Sequence, residues 1–167
     1  MMNVKCKIII PMLLAFCLLL MNSNAFSQVI KKVKIDELER IIAETKSPLI
    51  VNFFATWCKP CVEELPYFLQ EFNNHKKDSL QLLMVSLDFK DFYPQKIISF
   101  AKKRKVTAPI VWLDETNADV FCPKIDSAWS GAIPASLFIN SATGYKSFYE
   151  GQINHEQLKE KIKALLK

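Results

Sequence analysis

The stretch FFATWCKPCVEELP (53–66) contains two cysteines, Cys58 and Cys61, separated by two residues. The run around its start, PLIVNFFA (48–55), is apolar almost throughout, which predicts a strand buried on both faces of a sheet. A helical pattern follows the strand. A cysteine pair at such a junction is a structural disulfide, half of a metal site or a working redox pair. The rest of the chain decides between these three interpretations.

Predicted strands and helices alternate along the chain. Strands are predicted over 48–55, 80–88, 109–114, 134–140 and 144–151, and helices over 35–46, 57–75, 95–105 and 154–167. The stretch 115–132 has no clear pattern. This order predicts an α/β fold with a central mixed β-sheet and helices on both of its faces. Buried parallel strands place functional loops at their C-terminal ends, which is where Cys58 lies.

Two helix starts carry the pattern of a capping box, Asp36 with Glu39 and Asn154 with Gln157. The helix that follows Cys58 is expected to bury one apolar stripe, made of Val62, Leu65, Leu69 and Phe72.

Length and composition predict one globular domain, because the 167 residues are 50% hydrophobic and 23% charged. Residues 1–25 have the pattern of an export signal, with two lysines, the apolar run 8–21 and small residues before a cleavage point after Ala25. We expect residues 26–167 to form the domain and to work outside the cytoplasm. An uncleaved membrane anchor is the alternative. The net charge of +5 is too mild to indicate a nucleic-acid partner.

The number of cysteines argues against a disulfide staple and against structural zinc. After the predicted signal, only Cys58, Cys61 and Cys122 remain. A domain stapled by disulfides carries more cysteines, in an even number, and structural zinc takes four ligands. We expect Cys122 to be a buried, unreactive core residue. The two histidines, His75 and His155, stand isolated in polar surroundings and receive no role.

The chemistry of a redox pair fits the residues around the cysteines. Cys58 lies at the predicted helix N-terminus, where free amides and the helix dipole stabilise an attacking thiolate, and Cys61 is the sheltered resolving thiol one turn on. Pro60 fits the first helical turn. Lys59 adds a cation that favours the thiolate and therefore a more oxidising pair. Glu64 shares a helix face with Cys61; partly buried, its carboxyl would have a raised pKa and relay the Cys61 proton.

The segment NFFATWCKPCVEELP (52–66) resembles the active site of the thioredoxin superfamily. It is most similar to the TlpA/ResA-type extracytoplasmic thiol–disulfide oxidoreductases, whose W-C-x-P-C-x-x-E-x-P pattern is matched by Trp57, Cys58, Pro60, Cys61, Glu64 and Pro66. The resemblance covers about residues 30–167. It implies a thioredoxin-like fold, a redox-active cysteine pair and a glutamate that influences the resolving cysteine. It also implies a cis-proline loop opposite the cysteines, which Ile133 and Pro134 fit.

The sequence therefore predicts a monomeric thiol–disulfide oxidoreductase with protein substrates, in the periplasm or another extracytoplasmic compartment. Beyond the cysteine pair, we expect Trp57, Lys59, Pro60 and the loop at Ile133 and Pro134 to contact the substrate. No metal and no cofactor other than the disulfide are expected. The resemblance implies a reductase, for instance in cytochrome c biogenesis on apocytochromes awaiting haem, supplied by a membrane electron donor. The alternatives are an oxidase or isomerase, which Lys59 favours, and a thiolate carrier of copper.

Overall fold

A computed structural model describes residues 29–167, so the predicted export signal lies outside the described residues. The strands are β1 (Lys31–Val33), β2 (Leu49–Phe54), β3 (Gln81–Ser86), β4 (Ile110–Leu113), β5 (Ala135–Asn140) and β6 (Tyr145–Glu150). The helices are α1 (Ile35–Glu44), α2 (Lys59–Asn74), α3 (Gln95–Arg104), α4 (Ala118–Ile125) and α5 (His155–Leu165). Within these residues, no helix is both long and apolar enough to cross a membrane.

The six strands form one mixed sheet in the order β1-β4-β3-β2-β5-β6. The first four strands of this order pair in parallel, whereas β5 pairs antiparallel with both β2 and β6. Helices α2, α3 and α5 pack on one face of the sheet, and α1 and α4 pack on the other. The predicted mixed sheet with helices on both faces is therefore confirmed.

Strand β2 lies inside the sheet and is buried at every position. Its residues alternate between the two faces: Ile50 and Phe54 pack with α2, α3 and α5, whereas Val51 and Phe53 pack with α1 and α4. The continuous apolar run in the sequence thus reflects a strand with a hydrophobic layer on each side. The loop that carries Cys58 begins at the C-terminal end of this buried strand.

The predicted capping box of Asp36 with Glu39 is wrong, because the N-cap residue of α1 makes no side-chain hydrogen bond. The N–H of Ile35 instead donates to Glu115 Oε1, at 3.1 Å, from the segment that follows β4. Asp36 and Glu39 both contact the Lys124 ammonium on α4. The capping box predicted for α5 is confirmed.

Strand β1 and helix α4 were not predicted from the sequence. Strand β1 has three residues and pairs only with β4 at the edge of the sheet. Helix α4 occupies the stretch that had no clear pattern and contains Pro123. The side chain of Asn117 caps α4 by accepting the N–H of Asp119 at 3.0 Å.

The buried face of α2 is rotated from the predicted stripe. Its buried residues are Cys61, Glu64, Leu65, Phe68 and Glu71, whereas Val62, Leu69 and Phe72 are half-buried. Two carboxyl groups are therefore taken into the interior. The second of them, Glu71, lies between the two histidines: its Oε1 is 2.8 Å from His155 Nε2 and its Oε2 is 3.5 Å from His75 Nε2. The prediction that these histidines are isolated is wrong.

Candidate active site

Cys58 and Cys61 are joined by a disulfide, with an S–S distance of 2.02 Å and a Cα–Cα distance of 5.3 Å. Cys58 is the N-cap residue of α2. The N–H of Cys61 lies 3.3 Å from Cys58 Sγ and points at it. After reduction, the same N–H would donate to a thiolate on Cys58 and stabilise it, together with the dipole of α2. Cys58 thus lies at the helix N-terminus, as predicted.

Both cysteines are buried in the disulfide state, with exposed fractions of 5% for Cys58 and 3% for Cys61. The predicted contrast between an exposed and a sheltered sulfur is therefore small in this state. Pro60 lies in the first turn of α2, where its missing N–H leaves no helical hydrogen bond unmade.

The loop that precedes β5 faces the disulfide. The carbonyl oxygen of Ile133 lies 3.8 Å from Cys58 Sγ, and the bond between Ile133 and Pro134 is cis, as the resemblance implied. Glu150 on β6 holds this loop: its carboxylate accepts the N–H groups of Ser130, at 3.2 Å, and of Ala132, at 3.0 Å. Glu150 could not be found from the sequence, because its partners Ser130 and Ala132 lie 20 and 18 positions before it.

Glu64 is buried on the face of α2 that carries Cys61. Its Oε1 accepts the Asn52 Nδ2–H at 3.0 Å, and its Oε2 accepts the N–H of Ile153 at 2.8 Å. Burial raises the pKa of Glu64 to about 7, although both hydrogen bonds favour the charged form. Asn52 also donates to Ser136 Oγ at 3.1 Å. The predicted burial and raised pKa are confirmed, and they make Glu64 able to take or give a proton near neutral pH.

A third buried carboxyl group, Asp88, fixes the loop before the cysteines. It follows β3 and accepts the N–H of Thr56 at 3.0 Å and the Thr56 hydroxyl at 2.6 Å. Its other oxygen accepts the hydroxyl of Ser86 at 2.8 Å. Asp88 was not found from the sequence. The pattern that could have indicated it is an acidic residue just beyond the end of β3, the strand that pairs with β2 and so ends beside the cysteine loop.

Trp57 and Lys59, two of the residues predicted to contact the substrate, are both exposed, but Trp57 packs on an aromatic ring and Lys59 lies near a carboxylate. The ring of Trp57 is 51% exposed and stacks on Phe89, with ring centres 5.5 Å apart. Lys59 Nζ lies 3.8 Å from Glu63 Oε1, and its side chain is 87% exposed. Water and this carboxylate screen the lysine charge, which weakens its predicted effect on the Cys58 thiolate.

Cys122, the third cysteine among residues 29–167, lies apart from the Cys58–Cys61 disulfide. Cys122 is a free, buried thiol that packs on the opposite face of the sheet from Cys61. Burial, with the charges of Glu150 and Asp119, raises the pKa of Cys122 to about 11, so its reactive thiolate form is rare at neutral pH. The expectation of a buried core cysteine is confirmed. Within residues 29–167, no three His, Cys, Asp or Glu side chains gather into a group that could hold a metal ion.

A sequence profile of the AhpC/TSA family matches residues 21–143. Over 111 residues the chain is 33% identical to the sporulation thiol-disulfide oxidoreductase A of Bacillus subtilis (strain 168), a match that covers 66% of this chain and 64% of that protein. The match thus spans slightly less than two thirds of that curated relative.

Solved structures show the same fold. The thioredoxin-related protein from Neisseria meningitidis serogroup B superposes with a TM-score of 0.62 at 27% identity, covering 74% of this chain and 89% of that one. StoA from Bacillus subtilis superposes with a TM-score of 0.54 at 30% identity, covering 72% of this chain and 86% of that one. The mixed sheet with its five helices is therefore a thioredoxin-like fold.

Proposed function

The chain belongs to the AhpC/TSA family, and within it we propose that the protein is a thiol–disulfide oxidoreductase acting on protein cysteines. The observation that carries this proposal is the disulfide between Cys58 and Cys61 at the N-terminus of α2, faced by the Ile133 carbonyl oxygen at 3.8 Å. A sulfur in this position has a helix N-terminus to stabilise its thiolate and a backbone edge beside it to hold a substrate chain.

In the reducing direction, the first step is attack by Cys58 as a thiolate on a substrate disulfide. A bond forms between Cys58 Sγ and one substrate sulfur, the substrate S–S bond breaks, and the other substrate sulfur leaves as a thiolate and takes a proton from water. The N–H of Cys61, which lies 3.3 Å from Cys58 Sγ, stabilises the attacking thiolate. The substrate backbone lies along the loop at Ile133 and Pro134, as an added strand would.

In the second step, Cys61 releases the substrate. The Glu64 carboxylate takes the proton of the Cys61 thiol, and the resulting thiolate attacks Cys58 Sγ. The bond between Cys58 and the substrate breaks, the second substrate sulfur leaves as a thiolate, and the protein regains its disulfide. Two electrons have then passed from the protein to the substrate. A base with a pKa of about 7 is suited to this step, because both of its protonation states are populated near neutral pH.

We further propose that the protein works as a reductase outside the cytoplasm, with a membrane electron donor that restores the dithiol. The export-signal pattern of residues 1–25 supports the location, and the TlpA/ResA resemblance supports the direction, with apocytochromes awaiting haem as one substrate class. An oxidase or isomerase would need the Lys59 charge to stabilise the Cys58 thiolate. The exposure of Lys59 and its pairing with Glu63 weaken this stabilisation. The active species is a monomer that uses no cofactor other than its disulfide.

The test is reduction of a protein disulfide by the purified protein with dithiothreitol as the source of electrons, together with the reduction potential of the Cys58–Cys61 pair. We expect Cys58→Ser and Cys61→Ser to abolish turnover and Cys122→Ser to retain it. A potential of about −270 mV fits a reductase, whereas a potential of about −120 mV would identify the protein as an oxidant instead. If Cys58→Ser kept full activity, the proposed function would be wrong.

A further inference from the structure

Two exposed aromatic rings, Trp57 and Phe89, and the half-buried ring of Phe92 form a surface that begins next to the disulfide, which we call the aromatic platform. Trp57 is 51% exposed and Phe89 is 64% exposed. The rings of Trp57 and Phe89 stack with centres 5.5 Å apart and planes 13° apart, and Phe92 meets Phe89 edge-on at 5.9 Å. The platform is therefore continuous, and it begins at the residue next to Cys58.

The exposure of these rings is not explained by the packing of the fold. Neither Trp57 nor Phe89 belongs to the two hydrophobic layers on the sheet. Their stacking shields one face of each ring and leaves a large apolar area in water, which is unfavourable for the isolated protein. Exposed apolar surface of this kind, next to a reactive group, is typical of an interaction site.

The platform is also held in place before any partner binds. Asp88, the residue before Phe89, accepts hydrogen bonds from the N–H and the hydroxyl of Thr56, the residue before Trp57. Lys96 Nζ lies 3.4 Å from the centre of the Phe92 ring, a cation–π contact. Rings fixed in this way lose little side-chain entropy when a partner binds, so the contact they make adds more to affinity.

We propose that the aromatic platform binds a large apolar side chain of the substrate protein, and that Phe89 selects substrates that carry such a residue beside the reacting cysteine. This inference rests on the proposed function. The platform adjoins Cys58, so the substrate chain that reacts there is the molecule that reaches the platform. A chain whose cysteine contacts Cys58 passes beside Trp57, and an extended chain advances about 3.3 Å per residue. A ring stacked 5.5 Å beyond Trp57 is thus within reach of a side chain two or three residues from that cysteine.

The experiment uses the full-length oxidised protein and two cysteine peptides that differ only in Phe or Ser two residues from the cysteine. The measurement is the rate constant for reduction of the Cys58–Cys61 disulfide by each peptide. We expect the Phe peptide to react about threefold to tenfold faster with the natural protein, as the energy of an aromatic pair allows. Phe89→Ser should bring the two rates together, and Phe89→Tyr should keep the preference because it keeps the ring.

Val120→Ser is the matched control, because Val120 is another exposed apolar side chain, 53% exposed on α4. This variant should keep the preference for the Phe peptide. Equal rates of the two peptides with the natural protein would overturn the inference, as would a preference that survives in Phe89→Ser. If neither the peptides nor dithiothreitol reduced the disulfide of the natural protein, the proposed function itself would fail. The two failures are therefore distinguishable.

Discussion

Replacing Glu64 by glutamine tests whether burial controls the charge of this group. The pKa of Glu64 is raised from its ordinary 4.5 to about 7. At about 1.4 kcal/mol for each pKa unit, ionisation of the folded protein is penalised by about 3 kcal/mol relative to the unfolded chain. Below pH 4.5 the carboxyl is protonated in both states and the penalty is absent. The penalty grows as the pH rises toward 7 and stays constant above it, so the free energy of unfolding falls by about 2–3 kcal/mol between pH 5 and pH 8.

A glutamine at this position does not ionise, and the surrounding hydrogen bonds can adapt to it. The Glu64 oxygens now accept from Ile153 and Asn52, and Asn52 also donates to Ser136. Glu64→Gln keeps an oxygen for the Ile153 N–H and turns its new N–H₂ toward Asn52. If the Asn52 amide flips, its oxygen accepts from both this group and the Ser136 hydroxyl. The variant therefore removes the effect of this carboxyl on the pH dependence of the free energy of unfolding. It does so without placing the N–H₂ group of the glutamine against the N–H₂ group of Asn52.

The assay is urea unfolding of the oxidised protein at several pH values from 5 to 8, because the disulfide cysteines do not titrate in that state. We expect the fall in the free energy of unfolding across this range to be about 2–3 kcal/mol smaller for Glu64→Gln than for the natural protein. Glu63→Gln is the matched control, since the neighbouring Glu63 side chain is half exposed and should leave the pH dependence unchanged. Identical pH dependence in Glu64→Gln and the natural protein would refute the reasoning.

Three further outcomes are expected. Asn52→Ala removes a donor to the Glu64 carboxylate and should raise the pKa of Glu64 further, so the decline in stability should extend to higher pH in the same assay; an unchanged profile would contradict this. Phe138→Ala should lower the free energy of unfolding by about 3–5 kcal/mol in urea, since Phe138 is fully buried, whereas Phe89→Ala should change it by less than about 0.5 kcal/mol; equal losses would be inconsistent with their burial. Iodoacetamide at pH 8 should label Cys122 only after unfolding, as followed by mass spectrometry, and labelling of the native protein would show that this thiol is accessible.

The parts of the fold that could be predicted are those whose signal is local. The buried run of β2, the helix after Cys58 and the β5–β6 hairpin each show their pattern within a short stretch of sequence. Strand β1 has only three residues, two of them exposed lysines, so neither an apolar run nor an alternation was present to mark it. Helix α4 has eight residues with Pro123 inside, which a sequence pattern cannot distinguish from a loop.

The start of α1 shows how a distant contact replaces a local one. Asp36 and Glu39 have the spacing of a capping box, but Glu115 accepts the first helical N–H and Lys124 draws both acidic side chains toward α4. The contact between Ile35 and Glu115 joins residues 80 positions apart. Packing of α1 beside the end of β4 therefore decides the cap, which no spacing rule for a single helix can foresee.

In the candidate active site, too, a local pattern predicts some features, whereas others depend on contacts with distant residues. The three-residue spacing is enough to place Glu64 on the helix face of Cys61. The pKa of Glu64, however, depends on its burial, which raises it, and on hydrogen bonds from Asn52, 12 positions before it, and Ile153, 89 positions after it, which lower it. In the proposed mechanism, the cysteine segment thus supplies the electron-transfer chemistry, whereas proton transfer to and from Cys61 depends on where the turn between β6 and α5 packs. A substitution that moves the Ile153 N–H away from Glu64 should therefore alter the protonation of this carboxyl, and with it the release of substrate by Cys61, without any change in the segment around the disulfide.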